Sequence, residues 1–129
     1  MKLAVIAHDG KKAEMVAFLN RHMNFFKSVG IEIVATGTTG KHAQDAGLEV
    51  QRFLSGPLGG DAQIAAQVAE HKIQMVFFFR DPLGKHPHEP DVQMLMRVCD
   101  VHNIPIATNP ATAEMLLAGF MALHKDKAE

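Results

Sequence analysis

Short apolar runs and amphipathic stretches alternate along this chain. Leu3 to Ala7 is too short for a globular helix and lacks polar alternation, the pattern of a parallel strand covered on both faces. Similar runs recur at Ile31 to Ala35, Val50 to Leu54, Ile73 to Phe79 and Ile104 to Ala107. Between them, Val16, Leu19, Met23 and Phe26 recur at steps of three and four and predict a helix from about Lys11 to Phe25. Further helices are expected at Lys41 to Ala46, at Ala62 to Glu70 with Ile64, Ala65 and Val68 buried, from Pro90-Asp91 onward, and at Ala111 to Leu123. This alternation predicts a single-domain α/β fold spanning residues 1–129. The expected architecture is a doubly wound, mostly parallel five-stranded sheet with helices on both faces.

Each strand runs into a polar corner. The corners are His8-Asp9-Gly10, Thr36-Gly37-Thr38-Thr39-Gly40, Ser55-Gly56-Pro57-Leu58-Gly59-Gly60-Asp61, and the Pro- and Gly-interrupted stretch Arg80 to Asp91. In such sheets ligands bind outside the carboxyl ends of the strands, so distant corners meet at one edge. The hydroxyls of Thr36, Thr38, Thr39 and Ser55, with free backbone N–H groups near the glycines and helix starts, suit a phosphate. Lys12, one turn into the first helix, adds a point charge. Neither glycine segment is a Walker A or GxGxxG sequence, so nothing supports ATP or a dinucleotide. Asp61, at a helix start beside the glycine turn, is the better candidate base, against the simpler reading of an N-cap. Asp9 and Asp91 are further carboxylates, and His88 is a candidate donor to a developing oxyanion. His8, Asp9, His86, His88 and Asp91 also admit a second reading, a divalent metal site for hydrolysis, which the hydroxyl- and glycine-rich surroundings disfavour.

Composition narrows the rest. With 129 residues, 47% hydrophobic and 21% charged, the chain is long enough for one real core and is neither disordered nor fibrous. Its formal net charge of -1, with basic residues scattered, argues against nucleic acid. The single Cys99 excludes a disulfide framework or a CxxC site. No apolar run approaches the roughly 18 residues of a membrane span, and the N-terminus lacks the pattern of a signal peptide, so a cytoplasmic, non-membrane protein is expected.

The ordered set Val5-Ile6-Ala7-His8-Asp9, Ala35-Thr36-Gly37-Thr38-Thr39-Gly40, Leu54-Ser55-Gly56-Pro57-Leu58-Gly59-Gly60-Asp61, Phe79-Arg80-Asp81-Pro82-Leu83, Pro87-His88-Glu89-Pro90-Asp91 and Ile106-Ala107-Thr108-Asn109 resembles the methylglyoxal synthase family across nearly the whole chain. The resemblance implies a homohexamer that converts glycerone phosphate to methylglyoxal and inorganic phosphate without cofactor or metal. It implies Asp61 as catalytic base, with Asp9, His88 and Asp91 around it, and substrate or phosphate contacts from His8, Lys12, Thr36, Thr38, Thr39, Ser55 and Gly56. Longer members carry a C-terminal arginine toward a neighbouring subunit's phosphate. Here the ending is His124-Lys125-Asp126-Lys127-Ala128-Glu129, so either Lys125 or Lys127 compensates or the intrachain site suffices. A binding-only effector domain of the same fold is the competing reading, because fold does not separate binding from turnover.

Overall fold

The structure, a computed structural model, describes residues 1–84 and 89–123; the side chains of residues 89–91 lie outside that description. Five strands form one all-parallel sheet: β1 (Lys2–Ala7), β2 (Glu32–Ala35), β3 (Gln51–Arg52), β4 (Met75–Phe79) and β5 (Ile106–Ala107), in the order β3-β2-β1-β4-β5. Five helices connect or follow them: α1 (Lys12–Val29), α2 (Gly37–Asp45), α3 (Gly60–Ala69), α4 (Glu89–Val101) and α5 (Pro110–Leu123). The doubly wound expectation holds, and the order reverses between β1 and β4, the switch point where such sheets open a crevice.

Strand alternation sorts the apolar side chains onto two faces. Leu3, Val5, Phe77 and Phe79 pack with Met15, Phe18, Phe26 and Leu117 of α1 and α5. Ala4, Ile6, Val76 and Phe78 pack with Ile64, Val68, Leu95 and Cys99 of α3 and α4. Phe18 meets Phe77 and Phe79 edge-on, at 5.5 and 5.7 Å between ring centroids, which locks α1 over the sheet centre.

Among the departures from expectation, three have identifiable reasons. The third strand shortens to two exposed edge residues. Beyond it, Leu54 donates its N–H to Gln63 Oε1 and accepts from the N–H of Gly37, so the chain leaves the ladder. The fifth strand starts only at Ile106, because the N–H of Ile104 is tied to the carbonyl of Cys99 at the end of α4. Most consequentially, α2 begins at Gly37 rather than Lys41, so the threonine and glycine corner is itself the first helical turn. Glycine is a poor helix former, but tertiary packing overrides that here. A Cβ on Gly37 would lie 2.9 Å from the Ser55 nitrogen, and one on Gly40 would lie 2.5 Å from Arg52 Cγ.

Helices α1 to α4 are each followed by a left-handed residue, Gly30, Gly47, His71 and Asn103 respectively. The next N–H reaches back to a carbonyl in the helix's last turn (Ile31 to Phe26, Leu48 to Ala43, Lys72 to Gln67, Ile104 to Cys99). Each strand therefore starts from a fixed position.

Candidate active site

At the carboxyl edge of the sheet lies a cavity of about 500 Å³, lined by His8, Asp9, Gly10, Lys12, Thr36, Thr38, Ser55, Gly56, Pro57, Asp81 and Gly84, with Ile6 and Ala7 at its floor. Seven residues expected from sequence therefore meet there: His8, Asp9, Lys12, Thr36, Thr38, Ser55 and Gly56. Thr39 and Asp61 are both 1% exposed and are not among the lining residues. His88 lies outside the described residues. The backbone of Asp91 belongs to α4, and its side chain lies outside the description.

Three corners of this cavity share one backbone conformation. His8 (φ -62, ψ 157), Thr36 (φ -63, ψ 159) and Ser55 (φ -63, ψ 155) each end an extended segment and open a helical turn, the first and third of them 3-10 turns at Asp9–Lys11 and Gly56–Leu58. A serine or threonine in that position ordinarily turns its hydroxyl back to cap the helix. Neither Thr36 nor Ser55 does so. Among the described residues, the N–H of Gly37 goes to Leu54 and that of Gly40 to Thr36, whereas those of Thr38 and Thr39 have no partner. Two N–H groups at the start of α2 are thus unpartnered, the feature by which a helix start can receive an anion.

Lys12 is 6% exposed, and its Nζ donates to the carbonyl of Ala7 and to Asp9 Oδ1, both at 2.8 Å. That hydrogen bond and charge hold the Asp9 carboxyl below its ordinary value, with a smaller opposing effect of burial. His8 is packed edge-on against Phe78 at 5.2 Å, and its Nδ1 accepts the N–H of Asp81 at 3.0 Å. An accepting Nδ1 assigns the ring proton to Nε2, so the imidazole is a neutral donor.

Asp61 lies in the first turn of α3, whose N-cap is Gly59 at φ 108, so capping does not explain this buried carboxylate. Gly60 seats it: a Cβ there would overlap the Leu54 carbonyl oxygen, and the N–H of Gly60 bonds the carbonyl of Ser55. Asp61 is thereby tied to the same corner that supplies Ser55 and Gly56 to the cavity.

Asp81, Gly10, Pro57 and Gly84 also line the cavity; they lie in the corners read from sequence but were given no role there. Asp81 was legible in principle, since it follows β4 just as His8 and Asp9 follow β1. Its Oδ2 lies 3.0 Å from where a Cβ on Gly10 would stand, so Gly10 admits the carboxylate. Among the described residues no group of three or more His, Cys, Asp or Glu side chains is placed to hold a metal ion; His86, His88 and the Asp91 side chain lie outside them.

Fold and site together define a doubly wound α/β domain with a cavity lined by hydroxyls, glycines and a lysine at the switch point of its sheet. A family model described as MGS-like domain matches residues 18–108. The chain is 58% identical over 118 residues to a methylglyoxal synthase of Carboxydothermus hydrogenoformans, covering 91% of this chain and 96% of the relative. It is 59% identical over 117 residues to one of Thermus thermophilus, covering 90% and 91%. A solved methylglyoxal synthase from Elizabethkingia anophelis superposes with a TM-score of 0.83 at 42% identity, covering 90% of this chain and 76% of that one. The chain belongs to the methylglyoxal synthase family.

Proposed function

We propose that the cavity binds glycerone phosphate by its phosphate and that residues 1–129 act as one catalytic unit. The chain is a phosphate-eliminating lyase, converting that substrate to methylglyoxal and inorganic phosphate. The observation that carries the placement of the site is the trio of matching corners, one of them with the unpartnered N–H groups of Thr38 and Thr39, in one cavity with a buried lysine.

In this reading the N–H groups of Thr38 and Thr39, the hydroxyls of Thr36, Thr38 and Ser55, the Gly56 backbone and Lys12 receive the phosphate. The 3.4 Å hydrogen bond that Thr36 now donates to Thr39 is long enough to be exchanged for a phosphate oxygen. Asp61 takes a proton from the hydroxymethyl carbon, and the electron pair moves into a carbon–carbon double bond while the carbonyl oxygen becomes an enediolate. His88, with His8 as a second neutral donor, stabilises that oxygen; Asp9 and Asp91 complete the network. With the C–O bond to phosphate held perpendicular to the enediolate plane, the double-bond electrons expel phosphate. The former hydroxymethyl carbon becomes an aldehyde as its hydroxyl proton leaves, and the resulting enol tautomerises to methylglyoxal. An in-plane phosphate would instead favour reprotonation and isomerisation.

A cytoplasmic homohexamer that needs no metal is the form we expect to be active. Incubation of the chelator-treated protein with glycerone phosphate tests the reading. Release of methylglyoxal and inorganic phosphate in equal amounts supports it, whereas tight binding without either product would favour an effector-binding role. Activity that returns only on adding a divalent cation would favour the hydrolase reading.

A further inference from the structure

The hydroxyl of Thr39 is turned to the end of β1. Its Oγ1 accepts the N–H of Ala7 at 3.1 Å, lies 3.4 Å from the Ala7 carbonyl oxygen as donor, and receives the Thr36 hydroxyl at 3.4 Å. A threonine hydroxyl has one hydrogen and two lone pairs, so these three contacts occupy it fully. The side chain is 1% exposed, and the cavity lining passes it by.

The reason for this contact is that β2 is too short. Successive N–H groups of a strand point to opposite neighbours, and that of His8 goes to the carbonyl of Phe79 on the β4 side. The N–H of Ala7 therefore faces β2, whose pairing with β1 ends at Val5 with Ala35. Thr39, in the first turn of α2, supplies the acceptor that the ladder no longer provides. The same Ala7 accepts Lys12 Nζ through its carbonyl and immediately precedes His8 and Asp9.

We propose that Thr39 is a positioning residue: its hydroxyl fixes the end of β1 at Ala7, and through that peptide sets Lys12 and the His8-Asp9 corner for the phosphate. This rests on the functional reading above and narrows the part of Thr39 in it. Its backbone N–H remains available to the anion, whereas its side chain acts only through Ala7.

The test compares Thr39→Val, Thr39→Ser and the unaltered chain, each also carrying Lys12→Met. The measurements are glycerone phosphate turnover, inorganic phosphate affinity by calorimetry and hydrogen exchange at the Ala7 amide. Thr39→Ala serves where Thr39→Val does not fold. Thr39→Val is expected to weaken inorganic phosphate about tenfold, lower kcat as well, and expose the Ala7 amide to exchange, with Thr39→Ser restoring all three. In the Lys12→Met background the same substitution should change phosphate affinity less than about twofold, because coupled groups are not additive. An equal loss in both backgrounds would mark an independent phosphate contact and overturn the proposal, as would an Ala7 amide that stays protected in Thr39→Val. Failure of the unaltered chain to turn over glycerone phosphate would overturn the reading of the site, and this proposal with it.

Discussion

Lys12 Nζ stands 2.8 Å from Asp9 Oδ1, a buried ammonium paired with a carboxylate whose side chain is fully open to solvent. The pairing has a definite acid dependence. The hydrogen bond and charge of Lys12 pull the Asp9 carboxyl below its ordinary value of 3.8, so its contribution is complete above that value and is lost only as pH falls through the lower, folded one. The stability difference between the unaltered protein and Asp9→Asn is therefore expected to stay constant from pH 7 down to about 5 and to shrink in stronger acid. Denaturant unfolding across that range checks it, and a difference that drifts between pH 7 and 5 would contradict the pairing.

Replacing Asp61 by Asn keeps the shape of the side chain and removes the proposed base. General-base assistance is worth about 10²–10⁴ in rate, so kcat for phosphate release should fall by that much with the fold unchanged by circular dichroism. Near-normal turnover would reject Asp61 as the base.

Gly60→Ala places a methyl group on the Leu54 carbonyl oxygen. Displacing that backbone is expected to cost about 1–3 kcal/mol, read from denaturant unfolding, and to lower kcat because Asp61 is the next residue. Full activity at parental stability would show that the turn has room.

The pair of helices α1 and α5 is tied by Glu114, whose Oε1 takes Arg21 at 2.9 Å and whose two oxygens lie 3.2 Å from His22 Nε2. Chiefly through Arg21, the Glu114 carboxyl is held low, against a smaller opposing effect of burial. Solvent screens this half-exposed cluster, so Glu114→Gln should cost only about 0.2–1 kcal/mol at pH 7. The contribution is present above the ordinary carboxylate value and disappears as pH drops through the lowered one. Melting curves of both proteins should therefore differ at pH 7 and converge in acid.

Cys99 is completely buried, and burial, aided by neighbouring Asp100, raises its thiol to about 11. Alkylation at pH 8 is expected to be negligible in the folded protein and rapid in denaturant, as mass spectrometry would record. Fast native labelling would mean that α4 lifts from the sheet.

Much of this molecule was legible in its residue pattern because both periods were clean: unbroken apolar runs for covered strands, steps of three and four for the helices between them. The corners were found for the same reason, each being where an apolar run stops at hydroxyl, glycine or charge. What the pattern hid was set by contacts distant in sequence. Gly37 and Gly40 read as loop residues, yet packing against Ser55 and Arg52 makes them helical. His71 and Asn103 carry left-handed caps that composition assigns to glycine. Thr39 and Thr38 are adjacent and chemically identical, yet the early end of β2 engages the hydroxyl of Thr39 while Thr38 lines the cavity.

The near-identical torsions at His8, Thr36 and Ser55 have a consequence for how such a seat wears under mutation. Because the main chain of separate segments shares the load, deleting any one hydroxyl should erode anion affinity by degrees. Abrupt failure is reserved for changes that bend a corner itself.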